Sequence, residues 1–208
     1  AKTFTMFAQR NWNILTDWDG YLGALAERGE QEGQWQEYID QKATWQYTDF
    51  YLFNEQCEFW TTAGRQGTAE HMRATFEELY TANAPVITSY TSSQGIRKIM
   101  FAMPMEQPLQ LGDTTYTALA VSYDNAVLEK LLGSMVYEGQ SDCYIVRSNG
   151  DVVLSTETKT EITEQMTNLF DYLQQNARVN QPYYDTMVQT LPQGGEGCVL
   201  YTLNRQKY

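Results

Sequence analysis

The sequence is poor in the residues that build most metal sites. It has one histidine, His71, and three cysteines, Cys57, Cys143 and Cys198, among 208 residues. One histidine excludes a site made of several histidines, and the wide spacing of an odd number of cysteines fits neither a CxxC metal site nor a disulfide framework. Cys143 and Cys198 lie in apolar, strand-like segments, which favours buried free thiols for both. The sequence therefore predicts no metal site.

Motifs for catalysis and for nucleotide cofactors are also missing. The sequence contains no G-x-S-x-G nucleophile elbow, no P-loop, no G-x-G-x-x-G turn and no EF-hand loop. A catalytic triad would have to be built around His71, and the consecutive Glu77 and Glu78 are typical of a solvated helix surface rather than of two carboxylates facing a cleft. We therefore predict no enzymatic activity and no cofactor.

Basic residues are few, with 14 Lys and Arg against 26 Asp and Glu and a net charge of −12. Phosphate backbones and anionic membrane surfaces would be repelled, so nucleic-acid binding is not expected. No run approaches the roughly 18 apolar residues of a membrane span. No signal peptide is visible, but the sequence starts inside a helical pattern, so we interpret it as a segment of a longer protein.

What the sequence does contain is one segment in two copies. DFYLFNEQCEFWTT at 49–62 and DCYIVRSNGDVVLS at 142–155 align at an offset of 93 residues. Each copy has two apolar runs around a short polar centre, and Asn149-Gly150 is a strong hairpin signal. The match resumes at an offset of 94, where HMRATFEELY corresponds to QMTNLFDYLQ. The sequence thus predicts two copies of a small module in which a helix follows a hairpin.

Residues 3–28 predict an amphipathic helix. Its apolar positions follow alternating steps of three and four if Asn11 fills one of them: Phe4, Phe7, Ile14, Trp18, Tyr21 and Leu25. Two interpretations are open. The stripe can join two copies of the chain in a signalling dimer, or it can lie on the sheet of its own domain.

The rest of the first module predicts an antiparallel sheet of five strands with helices on one face. Its first two strands form the hairpin at 50–62. After a loop at 63–68, Thr68 is expected to cap a helix at 69–82. The remaining strands are predicted at 86–91, 96–103 and 115–123, with a proline-containing connection at 104–113. Two short helices are expected at 34–44 and 126–132.

The second module is predicted to hold a hairpin at 143–155, a helix at about 161–176 and a strand at 198–203. Counterparts of the strands at 96–103 and 115–123 are missing from the sequence. A sheet that lacks two of its five strands would expose backbone edges. We therefore expect this module either to be cut short or to receive strands from elsewhere.

The order of these elements, with the phrases YIVRSNGDVVLST and TALAVSYDNAVLEKLLG, resembles the double Cache family of tandem PAS-like sensor domains. The resemblance implies an α+β fold with a long N-terminal helix, a PAS-like five-stranded antiparallel sheet and a second, truncated PAS-like module. The implied domains are an N-terminal helical segment at 1–48, a membrane-distal module at 49–133 and part of a membrane-proximal module at 134–208.

The same resemblance implies the extracytoplasmic part of a membrane-anchored bacterial histidine kinase, diguanylate cyclase or chemoreceptor. Such a part binds a small extracellular molecule and is expected to form a homodimer through its N-terminal helix. The family's amino-acid signature, Arg-x-Trp-Tyr with a later Asp, is absent, because neither Arg65 nor Arg73 precedes Trp-Tyr and the Asp position aligns with Ser122 or Asp124. An amino-acid ligand is therefore not supported. A ligand-free dimerisation module is the alternative function.

Small residues in the strand at 115–123 predict space above the distal sheet. Tyr116, Ala118, Ala120 and Ser122 share one strand face. Either a helix packs closely there, or a ligand cavity lies there. In the second case the predicted ligand-binding residues come from the strands, the loop and the helix start: Trp60, Arg65, His71, Tyr90, Tyr116, Ser122 and Asp124.

Overall fold

The structure, a computed structural model, describes residues 2–28, 49–128, 144–155, 166–193, 201–203 and 206–207. The chain divides into two compact units, Ala1–Leu128 and Glu129–Tyr208. The predicted helix at 34–44, the predicted domain boundary between 133 and 134, Cys143 and Cys198 lie outside the described residues. Among the helices of the described part, none is long and apolar enough to cross a membrane.

The first unit combines a long helix with a six-stranded antiparallel sheet. The helices are α1 (Lys2–Arg28) and α2 (Arg73–Ala82), and a 3₁₀ turn at Glu70–Met72 precedes α2. The strands are β1 (Asp49–Phe53), β2 (Glu58–Thr61), β3 (Gln66–Thr68), β4 (Val86–Thr91), β5 (Arg97–Leu111) and β6 (Thr114–Asp124). Their order in the sheet is β3-β2-β1-β6-β5-β4. All five predicted strands are present, and β3 is an addition.

The additional strand β3 occupies the segment that the sequence predicted as a loop. Its residues pair with β2, with Glu58 opposite Thr68 and Phe59 opposite Gly67. All three residues of β3 are exposed, so the strand carries no apolar alternation by which it could be recognised. Thr68 belongs to this strand and caps nothing, and neither the 3₁₀ turn nor α2 has a side-chain cap. The predicted Thr68 cap is therefore wrong.

Strand β5 runs through Pro104 and Pro108, in the segment predicted as a connection. Its neighbour β4 pairs only as far as Ala102, so beyond that residue β5 has β6 as its one pairing partner in the sheet. The pairing register with β6 shifts between Pro104 and Leu109. Proline is tolerated at such bulges and unpaired edges because no ladder hydrogen bond is lost on the free side.

Helix α1 lies on one face of its own sheet. The ring centroids of Trp18 and Phe50 are 4.4 Å apart, and those of Phe7 and Tyr123 are 5.1 Å apart. The predicted polar position in the stripe is confirmed, since Asn11 is fully buried and accepts a 2.5 Å hydrogen bond from Tyr123 Oη. Burial raises the pKa of Tyr123 to about 12, which keeps this donor protonated. The stripe therefore packs on the sheet, as the second interpretation held.

Helix α2 covers the opposite face, so the prediction that helices cover one face is wrong. Phe76 and Leu79 of α2 belong to a buried cluster with Phe53, Met100 and Ala120 of the sheet. The run of buried residues at 118–123 in β6 is explained by this arrangement, because a strand between two helical layers has no solvated face. Helical backbone follows β6 at 125–128, where the predicted helix at 126–132 begins.

Asp19 ties α1 to the bulge of β5. One carboxylate oxygen accepts a 2.9 Å hydrogen bond from the Glu106 backbone N–H, and the other has no hydrogen-bond partner among the described residues. Burial raises the pKa of Asp19 above its ordinary value of 3.8, against the lowering effect of that hydrogen bond. The folded chain therefore holds the protonated form of Asp19 better than the unfolded chain does.

This raised pKa predicts a pH effect. The stability that comes from protonated Asp19 is complete below pH 3.8 and is lost as the pH rises through the folded-state pKa. The Asp19→Asn variant has no carboxyl group to ionise here. Its free energy of unfolding should therefore rise relative to that of the wild type as the pH increases from about 4 through the folded-state pKa of Asp19. Urea unfolding at several pH values measures the difference. Asp17→Asn, an exposed position of the same helix, is the control, and a pH-independent difference for Asp19→Asn would contradict the prediction.

The described part of the second unit contains the second hairpin and two α-helices. Its elements are β7 (Tyr144–Val146), β8 (Val152–Ser155), α3 (Leu169–Asn176), β9 (Arg178–Val179), α4 (Gln181–Thr190), β10 (Tyr201–Leu203) and β11 (Gln206–Lys207). Strands β7 and β8 pair antiparallel, and β10 pairs with both β9 and β11. The predicted strand at 198–203 is thus confirmed over Tyr201–Leu203, and its first residues lie outside the described part of the chain.

The helix predicted at 161–176 begins only at Leu169 in the described part. Asn168 has an extended backbone and accepts hydrogen bonds from Phe170 N and Asp171 N, so it is the N-cap. Helix α4 was not predicted at all. Its sequence signal is Pro182 in the first turn after Asn180, a common arrangement at a helix start.

The two hairpins have the same turn. In the first, Cys57 N donates to Asn54 O at 3.0 Å and Asn54 N donates to Glu58 O at 3.1 Å. Both hydrogen bonds recur 93 positions later, where Gly150 N donates to Arg147 O and Arg147 N donates to Asp151 O, each at 2.9 Å. Cys57 and Gly150 also share a positive φ, at 60° and 91°. The predicted pair of equivalent hairpins is confirmed.

The helices after the hairpins share their buried positions. Met72, Phe76 and Leu79 are buried in the first unit, and the residues 94 positions later are buried in the second: Met166, Phe170 and Leu173. Helices α2 and α3 also end at equivalent residues, Ala82 and Asn176. The repeated sequence therefore corresponds to a repeated local structure.

Candidate ligand cavity

A cavity of about 210 Å³ opens on the α2 face of the first sheet. Its lining comes from β1, β2, the connection between β2 and β3, the 3₁₀ turn with the residue before it, the end of β4 with the turn that follows it, and β5. The lining residues are Tyr51, Phe53, Phe59, Arg65, Ala69, His71, Met72, Tyr90, Thr91, Ser92, Ser93 and Met100. A dry protein cavity of about 150 Å³ holds one benzene molecule. This cavity, which is open at its rim, therefore suits a molecule of roughly eight to eleven non-hydrogen atoms.

Strand alternation places the aromatic wall. Tyr51 and Phe53 point to the α2 face, while the intervening Leu52 points towards α1 and pairs with Trp60. Tyr51 and Phe53 stack with ring centroids 5.4 Å apart, and Phe59 of β2 stands edge-on to Tyr51 at 5.8 Å. Three rings on two paired strands thus form one continuous apolar wall.

The 3₁₀ turn closes the cavity from the helix side. Ala69 N donates a 2.8 Å hydrogen bond to Cys57 O, which fastens the start of the turn to the hairpin. Met72 is buried below the turn, and His71 is exposed beside it. The rings of His71 and Tyr90 are 6.1 Å apart. His71 therefore stands at the rim, where a bound molecule can contact it.

Two tyrosine hydroxyls meet in the cavity wall. Tyr51 Oη and Tyr90 Oη are 3.0 Å apart. Burial, followed by the hydrogen bond to Tyr90, raises the pKa of Tyr51 far above its ordinary value, so the hydroxyl is protonated at neutral pH. A pair of protonated hydroxyls uses one proton for its mutual hydrogen bond. The other proton can be donated to a ligand.

A chain of charges runs under the rim at the same end of the sheet. Lys98 Nζ donates to Asp49 Oδ2 at 2.6 Å and lies 3.5 Å from Asp124 Oδ1. The second oxygen of Asp49 accepts a hydrogen bond from Arg65. Burial acts to lower the pKa of Lys98, but the hydrogen bond and charge of Asp49 outweigh it and raise that pKa. Asp49 thus neutralises a buried ammonium and fixes the guanidinium at the cavity rim.

Three of the seven predicted site residues line this cavity: Arg65, His71 and Tyr90. Asp124 lies in the charge chain behind the rim through its contact with Lys98. Ser122 lies on the same face of β6 as Asp124 and is fully buried. Its hydroxyl has no hydrogen-bond partner among the described residues. Trp60 lies on the α1 face, and Tyr116 lies towards the other end of β6, opposite Leu109.

Helix packing accounts for the small residues of β6. Ala118 and Ala120 belong to the buried cluster that includes Phe76 and Leu79 of α2. They do not line the cavity, which lies beside this contact, above Tyr51 and Met100. The small size of Ala118 and Ala120 is therefore explained by the close approach of α2, and not by a ligand cavity above them.

Sequence reasoning missed most of the cavity wall. Tyr51, Phe53, Phe59 and Met100 line it, and Asp49 and Lys98 support its rim. The two-residue period of a strand predicts that Tyr51 and Phe53 of DFYLF share a face, but it does not say which face borders a cavity. No local signal pairs Asp49 with Lys98, because the contact depends on the order of β1, β6 and β5 in the sheet.

The fold is that of known sensor domains. The structure matches the ligand-binding domain of the Pseudomonas aeruginosa amino-acid chemoreceptor PctB in complex with L-Arg, with a TM-score of 0.65, 12% identity, and 100% of this chain and 80% of that one covered. It also matches the extracellular domain of mmHK1S-Z3, which is assigned as a histidine kinase. The TM-score is 0.59 at 10% identity, with 98% of this chain and 84% of that one covered.

A third match is the ligand-binding domain of the Campylobacter jejuni chemoreceptor Tlp3 in complex with 4-methylisoleucine. Its TM-score is 0.54 at 11% identity, with 99% of this chain and 78% of that one covered. No protein-family model and no curated protein matches the sequence. Two of these structures are ligand-binding domains of chemoreceptors and one is the extracellular domain of a protein assigned as a histidine kinase, and the predicted α+β, PAS-like fold is confirmed.

Proposed function

We propose that this chain is the extracytoplasmic sensor region of a bacterial membrane signalling protein, and that a small molecule in the 210 Å³ cavity is its signal. The observation that carries the proposal is this cavity, which has an aromatic wall and a polar rim, in a unit with the fold of chemoreceptor and histidine-kinase sensor domains. Concave, mostly apolar sites with a few converging polar groups are typical of small-molecule binding.

The cavity rim favours signalling by a population shift. Arg65, His71 and Tyr90 come from three different elements: the connection between β2 and β3, the 3₁₀ turn, and β4. A molecule that contacts all three stabilises the conformation in which these elements are closest together, and so shifts the population towards it. Arg65 is linked through Asp49 and Lys98 to Asp124, the last residue of β6. Closure of the rim therefore acts on the strand from which the chain leaves the sheet.

A homodimer of the parent receptor is part of this proposal. The apolar stripe of α1 packs on the sheet, so the surface of α1 left for a second copy is its outer face, where the Met6 side chain is 73% exposed. The same burial argues against a ligand-free module held together by that stripe. Light scattering over a range of concentrations tests the association, and a monomer throughout would remove the dimer from the proposal.

Thermal shift and calorimetry with a panel of metabolites test the sensing function. A compound that binds only the folded chain stabilises it by about 2.7 kcal/mol at roughly 100 times its dissociation constant. Ala69→Leu, which places a larger side chain at a buried lining residue, should abolish this stabilisation. Ala74→Leu adds the same volume at an exposed position of α2 and should retain it.

Two outcomes would count against the proposed function. In the first, no compound in the panel raises the unfolding temperature of the wild-type chain. In the second, a compound raises it equally in the wild type and in Ala69→Leu, which would place the binding site elsewhere.

A further inference from the structure

We propose that the cavity selects a small organic anion, an aryl or branched alkyl carboxylate of roughly eight to eleven non-hydrogen atoms that carries no ammonium group. This inference rests on the proposed function and names the ligand class of the same site. It follows from the shape of the apolar wall, the sign of the charges at the rim and the hydrogen-bond donors left at the rim.

The wall suits a flat or branched apolar body. Phe53 and Phe59 meet with ring centroids 6.0 Å apart, and the thioethers of Met72 and Met100 complete the floor. Aromatic faces and polarisable sulfur favour rings and branched alkyl groups, which gain dispersion contacts and remove apolar surface from water. The cavity volume limits that body to about one ring or one branched chain.

The charges at the rim select an anion. Arg65, a permanent cation, lines the cavity, and none of the described lining residues is acidic. The carboxylate of Asp49 has one oxygen bonded to Lys98 and the other to Arg65, and Glu70 of the 3₁₀ turn is paired with Arg73. An ammonium group here would meet Arg65 with no carboxylate to compensate it, and burying an unpaired charge is costly. A carboxylate instead gains charge-assisted hydrogen bonds.

Donors are available for that carboxylate. Arg65 has five N–H donors, and its hydrogen bond to Asp49 comes from one terminal nitrogen. Its side chain is 58% exposed, so the remaining donors can be reached from the cavity mouth. Ser92 Oγ accepts a hydrogen bond from Ile96 N at 3.2 Å, which leaves the Ser92 hydroxyl proton to be donated. The tyrosine pair provides one further hydroxyl proton.

Matched probes separate the anion from the alternatives. Calorimetry with 3-phenylpropanoate and 4-methylpentanoate should show binding. Their α-amino counterparts, L-phenylalanine and L-leucine, should bind at least about 10-fold more weakly, because each adds an ammonium group at a cationic rim. The neutral 3-phenylpropanamide should also bind more weakly, because it loses the charge assistance.

Substitutions at the rim test the assignment of the donors. Arg65→Gln should weaken binding of the carboxylates about 10- to 100-fold and leave binding of the amide nearly unchanged. His71→Gln, at an exposed residue, should weaken carboxylate binding to a smaller extent. Arg73→Gln removes an exposed cation that does not line the cavity, and it should change nothing. Circular dichroism and the unfolding temperature confirm that each variant folds.

The outcomes separate this inference from the proposed function. Binding of an amino acid or amine as tight as that of its matched carboxylate would overturn the anion assignment, and so would equal carboxylate binding by wild type and Arg65→Gln. If another metabolite binds and Ala69→Leu abolishes its binding, the proposed function stands and the anion assignment falls. If nothing binds, both fall.

Discussion

Replacement of Asp49 by asparagine is expected to lower the free energy of unfolding of the first unit by about 3 kcal/mol. The Lys98 side chain is 9% exposed, and its closest carboxylate is Asp49 at 2.6 Å. Asparagine keeps the size and one acceptor but leaves the buried ammonium with only Asp124, at 3.5 Å. Because an uncompensated buried charge costs several kcal/mol, the loss should exceed that of any surface ion pair.

A double-mutant cycle isolates this contribution. Lys98→Met removes the cation that needs a partner and leaves Asp49 bonded to Arg65, so it should cost less than Asp49→Asn. The double variant Asp49→Asn with Lys98→Met should be more stable than Asp49→Asn alone. Arg73→Gln breaks an exposed pair with Glu70 and should leave the unfolding midpoint unchanged.

Tryptophan fluorescence during urea unfolding reports on this unit selectively. All five tryptophans of the chain lie before residue 129: Trp12, Trp18, Trp35, Trp45 and Trp60. If Asp49→Asn and the double variant are equally unstable, the buried charge of Lys98 is not the cause of the loss, and Asp49 does not stabilise the unit by neutralising that ammonium.

Local patterns predicted the repeated elements because each lies within a few residues of its own signal. The hairpins follow from two apolar runs around a short polar centre, and Asn149-Gly150 needs no long-range contact to form a turn. The buried positions of α2 and α3 follow from helical spacing. The order of strands could be inferred only from the family resemblance, since nothing local in β1 specifies β6 as its neighbour.

The sequence-based predictions that the structure contradicts lie where tertiary contacts override local signals. Strand β3 is made of three exposed residues and exists because β2 offers it a free edge. Strand β5 continues through two prolines because one of its edges is unpaired there. The face of Trp60 depends on the register that sets it opposite Leu52, and a shift of one residue would place it in the cavity wall. Arg65, His71 and Tyr90 line the cavity, and two of them, Arg65 and His71, come from the loop and the helix start after the first hairpin, where the family resemblance placed the ligand pocket.

In the second unit, Gly150→Ala is expected to lower stability by about 3 kcal/mol. Gly150 has a φ of +91°, a conformation that costs a non-glycine residue about 1–2 kcal/mol. A Cβ at this position would lie 2.5 Å from Phe170 Cδ2 and 2.8 Å from Asn168 Oδ1. Phe170 belongs to the core cluster of the unit, and Asn168 caps α3, so the extra methyl group would displace a core ring, the helix start or both.

The second unit has no tryptophan, so hydrogen exchange measured by mass spectrometry on peptides from 144–155 and 166–176 is the suitable readout. Gly95→Ala is the matched control, because Gly95, in the turn between β4 and β5 of the first unit, has a φ of +76° but nothing within 4 Å of the added Cβ. Its loss is read from tryptophan fluorescence during urea unfolding, which reports on that unit. Gly95→Ala should lower the free energy of unfolding only by the backbone strain of a positive φ, about 1 kcal/mol. Adding Phe170→Leu to Gly150→Ala should cost less than the sum of the single losses, since the smaller side chain relieves the overlap. If Gly150→Ala and Gly95→Ala lose equal stability, backbone strain alone explains the need for glycine at position 150. The packing of the turn on Phe170 would then contribute nothing to it.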